Sequence, residues 1–339
     1  MNIIFFNGDI IITSNDFIHE YDKHVIERFE FENGEVLENV NVEYLIKGTP
    51  KYDQSGNICN MVVFFHGYDG NFYSLSDYSQ FISKDGPFDT DDYLILSITS
   101  LGFPGSCCPS ETGLKQNFPK YTFKDKVNFK RQFIKEKFGN CNMLGAVGIG
   151  MGGYEVYTWA CEYPDDMKFI IIVNSSYKSA GYRYVMVKGI NGVIENNPNF
   201  ESGNYDESVT KTMISVYEIL FSFYFSHKIL QEMSNDEIDV YMDQFVEKSF
   251  NMDIYDFKYQ NDALLDFNLE DKLKNIKANA LIISSKEDLY FSAKYDSVPL
   301  KKYIENCQLE MVDFKRNKYD ESDYTKVIDI YNSFLKDFK

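Results

Sequence analysis

The stretch Gly148-Ile149-Gly150-Met151-Gly152-Gly153 decides the fold of this 339-residue chain. It follows an apolar run at residues 143–149 that has the length of a buried strand, and it precedes a helical pattern at residues 154–163. Four glycines in six residues allow a tight turn with backbone angles that other residues rarely adopt. The stretch therefore predicts a strand, a sharp turn and a helix.

Three glycine motifs occur at such junctions. In the nucleophile elbow, G-x-S-x-G, the middle residue attacks the substrate, and Gly150 stands at that place here. The dinucleotide fingerprint G-x-G-x-x-G also matches Gly148, Gly150 and Gly153. It is the weaker interpretation, because several strands precede the turn and Asp165 and Asp166 do not close a second strand. The P-loop is excluded because no Lys-Ser or Lys-Thr follows. We interpret the stretch as an elbow without its nucleophile.

Short apolar runs recur along the chain, and helical patterns separate most of them. They lie at residues 61–65, 93–96, 143–149, 169–173, 280–283 and 309–314. Continuous apolar runs of this length are typical of strands that are covered on both faces. Residues 29–36 and 39–44 instead alternate apolar with polar side chains, as antiparallel edge strands do. The pattern predicts an α/β fold with a mostly parallel sheet of about eight strands.

Residues 199–268 interrupt this alternation with helical patterns and no clear strand. We predict an N-terminal extension at 1–28, an α/β core at 29–198 and 269–339, and a helical cap or lid at 199–268. An aromatic and aliphatic stripe in the cap lies at helical spacing, which favours core packing over a ligand channel or an oligomer contact. Its members are Tyr217, Leu220, Phe221, Tyr224 and Phe225.

The amino-acid composition excludes several kinds of binding partner. With 34 basic and 52 acidic side chains, the formal charge of −18 repels nucleic acids and anionic membranes. The six cysteines have no C-x-x-C spacing, so we expect free thiols and no metal site. The first residues lack a basic segment before an apolar one, and no apolar stretch is long enough to span a bilayer. We therefore expect a cytoplasmic protein.

Five short motifs stand in a recognisable order. They are His66-Gly67-Tyr68, Asp89-Thr90-Asp91-Asp92-Tyr93, the glycine-containing loop at 101–119, the turn at 148–153 with Trp159-Ala160 and Tyr163-Pro164, and Asn197-Pro198-Asn199-Phe200 with Gly203-Asn204-Tyr205. Together they resemble the homoserine O-acetyltransferases of the α/β-hydrolase superfamily, over most of the chain from residue 29 onward. The resemblance implies an α/β-hydrolase fold with an inserted helical cap.

The resemblance also implies catalytic positions. It places the nucleophile at Gly150, the acid at Asp288 and the histidine at Tyr319, and it forms the oxyanion hole from the backbone N–H groups of Tyr68 and Met151. A serine nucleophile needs a histidine base that an acid orients. Serine is replaced here, and no histidine follows Asp288 in the chain. The acid position is therefore kept, while the nucleophile and base positions are lost.

The family transfers acetyl from acetyl-CoA to homoserine, so the resemblance implies no cofactor, with acetyl-CoA as a co-substrate only if the protein is active. The family's arginine for the substrate carboxylate has Lys188 as its nearest counterpart, which keeps the charge without the forked geometry. His66 follows a predicted strand beside the oxyanion loop. We predict that Lys188 and His66 lie in the substrate pocket.

These observations predict a non-catalytic protein that binds a small acyl or amino-acid ligand, or a partner protein, in or around the pocket that holds the substrate in the family. The first alternative is an active acyltransferase or esterase with a displaced nucleophile. Its candidate groups are Ser106, Cys107, Cys108, His66 and His227. The second alternative is a structural subunit that forms a homodimer or another oligomer through the cap.

Overall fold

The computed structural model of the protein describes residues 2–6, 9–13, 20–203, 205–312 and 321–338. Its strands are β1 (Asn2–Phe6), β2 (Asp9–Thr13), β3 (Glu20–Glu30), β4 (Val36–Lys47), β5 (Ile58–Phe65), β6 (Leu94–Ile98), β7 (Cys141–Ile149), β8 (Phe169–Val173), β9 (Asn279–Ser285) and β10 (Cys307–Val312). Its α-helices are α1 (Phe123–Phe138), α2 (Met151–Glu162), α3 (Tyr182–Glu195), α4 (Glu207–Phe221), α5 (His227–Glu232), α6 (Asn235–Val246), α7 (Ile254–Leu265) and α8 (Glu321–Leu335).

Eight of the strands form one sheet in the order β10-β9-β8-β7-β5-β6-β4-β3. The strands from β10 to β6 are parallel, whereas β4 is antiparallel to both of its neighbours. This confirms the predicted sheet of about eight strands, parallel except at its N-terminal edge. Strands β1 and β2 pair with each other as a separate antiparallel hairpin.

The edge strand β3 begins at Glu20, so the boundary that we predicted between residues 28 and 29 falls inside it. The strand pairs with β4 from Glu20 opposite Ile46 to Glu30 opposite Val36. Its sequence, EYDKHVIERFE, is mostly charged because an edge strand with one covered face needs few apolar residues. The apolar positions that it does bury are Ile26 and Phe29.

The sheet is covered on both faces, as the apolar runs predicted. Along β5, Val63 and Phe65 belong to the buried cluster that includes α1 and α2. Val62 and Phe64, which alternate with them, belong to a second cluster that includes Tyr331 of α8. Because neighbouring side chains of a strand point to opposite faces, these two clusters are the two sides of the core.

Helices α4 to α7 lie between α3 and β9 in the chain, inside the range 199–268 that we predicted to be a cap. Helix α7 is well buried, whereas α6 contains no fully buried residue. Helix α5 also contains no fully buried residue, so the cap has α7 inside the fold and α5 and α6 at its surface.

Candidate functional site

The turn between β7 and α2 has the geometry of a strained elbow. Gly150 caps α2 with φ 54° and ψ −117°, in the left-handed half of the backbone map. Its N–H donates to the carbonyl of Val173 at 3.1 Å, and its carbonyl accepts from the hydroxyl of Ser175 at 2.6 Å. Hydrogen bonds from the neighbouring strand β8 and the residues after it thus hold the turn.

The glycines of this turn serve different purposes. A β-carbon on Gly152 would lie 2.3 Å from the carbonyl oxygen of Phe65, so this glycine lets α2 pack against the end of β5. Among the described residues, a β-carbon on Gly150 would meet only Phe291, at 3.9 Å. There is consequently room for a side chain at Gly150 and none at Gly152.

A cavity of about 410 Å³ lies at the elbow. Its wall includes Gly150, Met151, Tyr68 and Asp288, so the structure brings together four of the positions predicted for the site. Met151 opens α2, and the N–H groups of a helix's first turn have no partner within the helix. The cavity wall therefore combines backbone donors, a carboxylate and Gly150, the position that the sequence analysis assigned to a nucleophile.

Asp288 lies in the loop after β9. One oxygen of its carboxylate accepts from the backbone N–H groups of Tyr290 and Phe291, each at 2.8 Å. Burial raises its pKa above the ordinary value, while these hydrogen bonds act in the opposite direction. The loop thus fixes the carboxyl group at the cavity wall.

Arg183 holds this loop, and the sequence analysis did not single it out. It is 4% exposed, and it donates to the carbonyl of Tyr290 at 2.7 Å and to the carboxylate of Asp296 at 2.9 Å. Its helix α3 also buries Met186, Val187, Ile190 and Ile194. The spacing of Arg183 from these apolar residues was the signal that it faces inward.

The two side chains predicted for the substrate pocket lie elsewhere. Nδ1 of His66 bonds the carbonyl of Gly67 at 2.9 Å, and Nε2 accepts from the N–H of Ser100 at 3.0 Å. Burial lowers its pKa to about 4, so the ring is neutral. His66 is absent from the described cavity wall, as is Lys188, which is exposed on α3.

The remaining sequence candidates are spread over the fold. Tyr319 lies outside the described residues. Cys107 and Cys108 are buried away from the described cavity wall, and burial raises the pKa of both thiols, for Cys107 to about 12. His227 is exposed at the start of α5, and the hydroxyl of Ser106 donates to the carbonyl of Asn41 at 3.4 Å. None of Ser106, Cys107, Cys108 and His227 lies on the described cavity wall.

The cap supplies the other wall of the cavity, and most of its side chains there are aromatic or aliphatic. Those on α4 and just after it are Tyr217, Leu220, Phe223, Tyr224 and Phe225. At the rim, the ammonium group of Lys248 lies 3.3 Å from the carboxylate of Asp69. Both are about half exposed, so this pair contributes little to stability.

Two further properties concern metal and membrane binding. No three His, Cys, Asp or Glu side chains cluster as a metal site in the part of the chain that the structure describes. None of the helices in that part is both long enough and apolar enough to pass through a bilayer.

Known proteins resemble the chain in both sequence and structure, although no protein-family model matches it. The chain is 33% identical over 310 residues to a probable acyltransferase of Methanothermobacter thermautotrophicus, covering 91% of this chain and 96% of that one. It is 25% identical to the homoserine O-acetyltransferase of Methanococcoides burtonii, covering 88% and 68%. An acetylester hydrolase from Corynebacterium glutamicum has the same fold, with a TM-score of 0.82 at 19% identity over 94% and 96% of the two chains. The chain belongs to the homoserine O-acetyltransferase family of the α/β-hydrolase superfamily.

Proposed function

We propose that this protein is a non-catalytic member of its family that binds a small acyl or amino-acid ligand, or a partner protein, at the elbow cavity. The observation that carries the proposal is the residue at the elbow itself. Gly150 has the position and the strained backbone of a nucleophile but no side chain to attack with. Acyl transfer through a covalent intermediate needs that atom.

The absence of a base supports the proposal. The chain has four histidines, and none of them follows Asp288, where the family's order requires one. His66 uses both ring nitrogens in hydrogen bonds to the backbone and does not line the described cavity. Tyr319 takes the histidine's place in the sequence, and a tyrosine, with its pKa near 10, is a poor base at pH 7.

Two backbone donors at the cavity wall support a binding function. The backbone donors at Tyr68 and Met151 do not depend on side chains, so they are able to hold a carbonyl oxygen whether or not catalysis occurs. No cofactor is needed for this role, and acetyl-CoA enters only as a co-substrate of an active protein.

An active enzyme with a displaced nucleophile is less well supported. A thiol reacts as the thiolate, and burial raises the pKa of Cys107 to about 12. Burial, followed by the carboxylate of Asp256, also raises the pKa of Cys108. Neither thiol is therefore activated at neutral pH.

The surface of the cap favours a second role, as a subunit that forms a homodimer through this region. Helix α6 has no fully buried residue, and its Val240 is 55% exposed, whereas Phe245 and Val246 pack against the core. A second copy that covers this face would bury apolar surface that water now contacts. This role is contradicted if light scattering gives the mass of a monomer at every protein concentration.

Turnover by the wild-type protein tests the main proposal. We expect that the protein releases p-nitrophenol from short p-nitrophenyl esters no faster than buffer does. We also expect that it releases no CoA from acetyl-CoA in the presence of homoserine. The Methanococcoides burtonii relative serves as a positive control. A Cys107→Ala/Cys108→Ala variant is assayed in parallel. Wild-type turnover that disappears in this variant would establish a displaced nucleophile and overturn the proposal.

A further inference from the structure

The cavity has two chemically different ends, which together define a ligand. Gly150 and Met151 line the cavity on the side of the elbow, and α4 and α5 of the cap, with the residues between them, line it on the other side. The inference that follows rests on the proposed binding function and concerns the chemical class of the ligand.

Two residues of the cavity wall, Asn261 on α7 and Tyr154 on α2, carry buried polar atoms without a partner in the described part of the chain. Asn261 is 3% exposed, and its Oδ1 accepts from the hydroxyl of Tyr68 at 3.2 Å, while its Nδ2 has no partner among the described residues. Tyr154 is 1% exposed, and its hydroxyl has no partner there either. Buried polar groups are normally paired, so these two favour a ligand that accepts hydrogen bonds.

The cap end offers mainly apolar contact. Leu220, Phe223, Phe225 and Ile229, which line it, have hydrocarbon side chains. Burying an aliphatic chain against such a wall is favourable in proportion to the area removed from water. A small polar molecule would leave this wall uncovered.

The charges of the cavity disfavour an amino acid. The charged residues on its described wall are Asp69, Glu287, Asp288 and Lys248. Lys248 pairs with Asp69 at the rim, and Arg183 is engaged with Asp296 outside the wall. A ligand carboxylate would therefore meet three acids and one lysine that is already paired.

We propose that the cavity binds a neutral carbonyl compound with a medium-length alkyl chain, such as an ester or thioester of a fatty acid. Its carbonyl oxygen faces the backbone N–H groups of Tyr68 and Met151, with Tyr154 and Asn261 nearby, and its chain runs along Leu220 and Phe223. At about 30 Å³ per water-sized group, the cavity holds about 14 non-hydrogen atoms. That size matches a chain of about ten carbons.

Ketones are suitable probes because they have a carbonyl group and no leaving group, so nothing can turn over. We would measure binding of decan-2-one, butan-2-one and homoserine to the wild-type protein by calorimetry. The longer ketone is expected to bind about three thousandfold tighter than the shorter one, because it buries six more methylene groups at about 0.8 kcal/mol each. Homoserine is expected to show no binding at millimolar concentration.

Neighbouring residues of α4 provide a matched pair of variants. Leu220→Asp places a charge on the cavity wall, and Ile219→Asp places the same charge on a residue that is 36% exposed and outside that wall. The first is expected to weaken binding of decan-2-one at least about tenfold, and the second less than about twofold. Tyr154→Phe, which removes only the unpaired hydroxyl, is expected to weaken binding of both ketones about fivefold. This variant keeps the test decisive if Leu220→Asp does not fold.

Binding of homoserine more tightly than decan-2-one would overturn the inference, as would equal binding of the two ketones. Failure of the proposed function looks different. Turnover of a decanoyl ester would refute the non-catalytic role and keep this ligand class. Tight binding of homoserine without turnover would refute this ligand class and keep the non-catalytic role.

Discussion

The side-chain atom nearest to a β-carbon built on Gly150 is Cε2 of Phe291, 3.9 Å away. That is ordinary van der Waals contact, so the elbow has space for a serine although it contains none. Because no described residue blocks a side chain there, its local cost is the positive φ of 54°.

Gly150→Ser is therefore expected to fold and to lose only about 1–2 kcal/mol of unfolding free energy, which is the usual cost of this backbone strain. Gly152→Ser is the matched control, because its β-carbon would lie 2.3 Å from the carbonyl oxygen of Phe65. We expect it to lose at least about 3 kcal/mol. Urea unfolding at pH 7 measures the free energy of unfolding of both variants. Equal losses of unfolding free energy in the two variants would contradict the described packing.

Restoring both missing groups tests whether the cavity is a relic of a catalytic site. Gly150→Ser/Tyr319→His is expected to hydrolyse short p-nitrophenyl esters at least about tenfold faster than the wild type, because nucleophile and base act as a unit. Adding Asp288→Asn should remove most of that gain, since the acid orients the histidine. A double variant that is no faster than Gly150→Ser alone would show that the site has been remodelled.

His66 is expected to make the protein sensitive to acid. Its pKa falls from an ordinary value near 6.5 to about 4, so the unfolded chain takes up a proton before the folded one does. The stability that this neutral ring provides is present above pH 6.5 and is lost as the pH falls toward 4, by up to about 3 kcal/mol. In His66→Gln, urea unfolding between pH 7 and pH 4 should show a shallower decline. Parallel curves for the two proteins would argue against a buried neutral histidine.

The sequence predicted the parts of the fold that depend on local patterns. The apolar run at 169–173 became β8 with the same bounds, and all five of its residues are buried. The elbow was predicted because the spacing of its glycines can be read from the sequence alone. Four predicted site positions, Gly150, Met151, Tyr68 and Asp288, then met at one cavity because parallel strands end at one edge of the sheet.

Interactions between distant residues could not be predicted in this way. Lys126 and Lys130 of α1 are both buried, although lysine is mostly exposed in proteins, and the carboxylate of Glu155 on α2 lies 2.6 Å from the ammonium group of Lys130. His66 was placed in the pocket from its position after a strand, but the N–H of Ser100 lies within hydrogen-bond distance and fixes the ring elsewhere. Pairings between separate elements decide which way such polar side chains point.

Lys126 is expected to destabilise the protein at neutral pH. Its ammonium group has no hydrogen-bond partner in the described part of the chain and lies 4.5 Å from the ring centre of Phe103. Burial lowers its pKa to about 7, so stability rises with pH from about 7 to the ordinary value of 10.5, where the unfolded chain also loses the proton.

Lys126→Met should therefore gain about 1–3 kcal/mol at pH 7 and less at pH 9.5, as measured by urea unfolding. Lys130→Met is the control, because it leaves Glu155 without the ammonium group now 2.6 Å away, and it should lose about 3–5 kcal/mol. A loss of stability in Lys126→Met at both pH values would refute the expected cost of burying this lysine.

Arg183 and Asp296 are expected to act as one unit that positions the loop of Asp288. The pair is buried, with 4% and 7% of the side chains exposed, and Arg183 also donates to the carbonyl of Tyr290. Arg183→Met leaves the carboxylate of Asp296 buried without its partner, and we expect a loss of about 3–5 kcal/mol. Arg183→Met/Asp296→Asn removes both charges and should lose clearly less than the sum of the single variants. Additive losses in this double-mutant cycle would show that the two residues stabilise the loop independently.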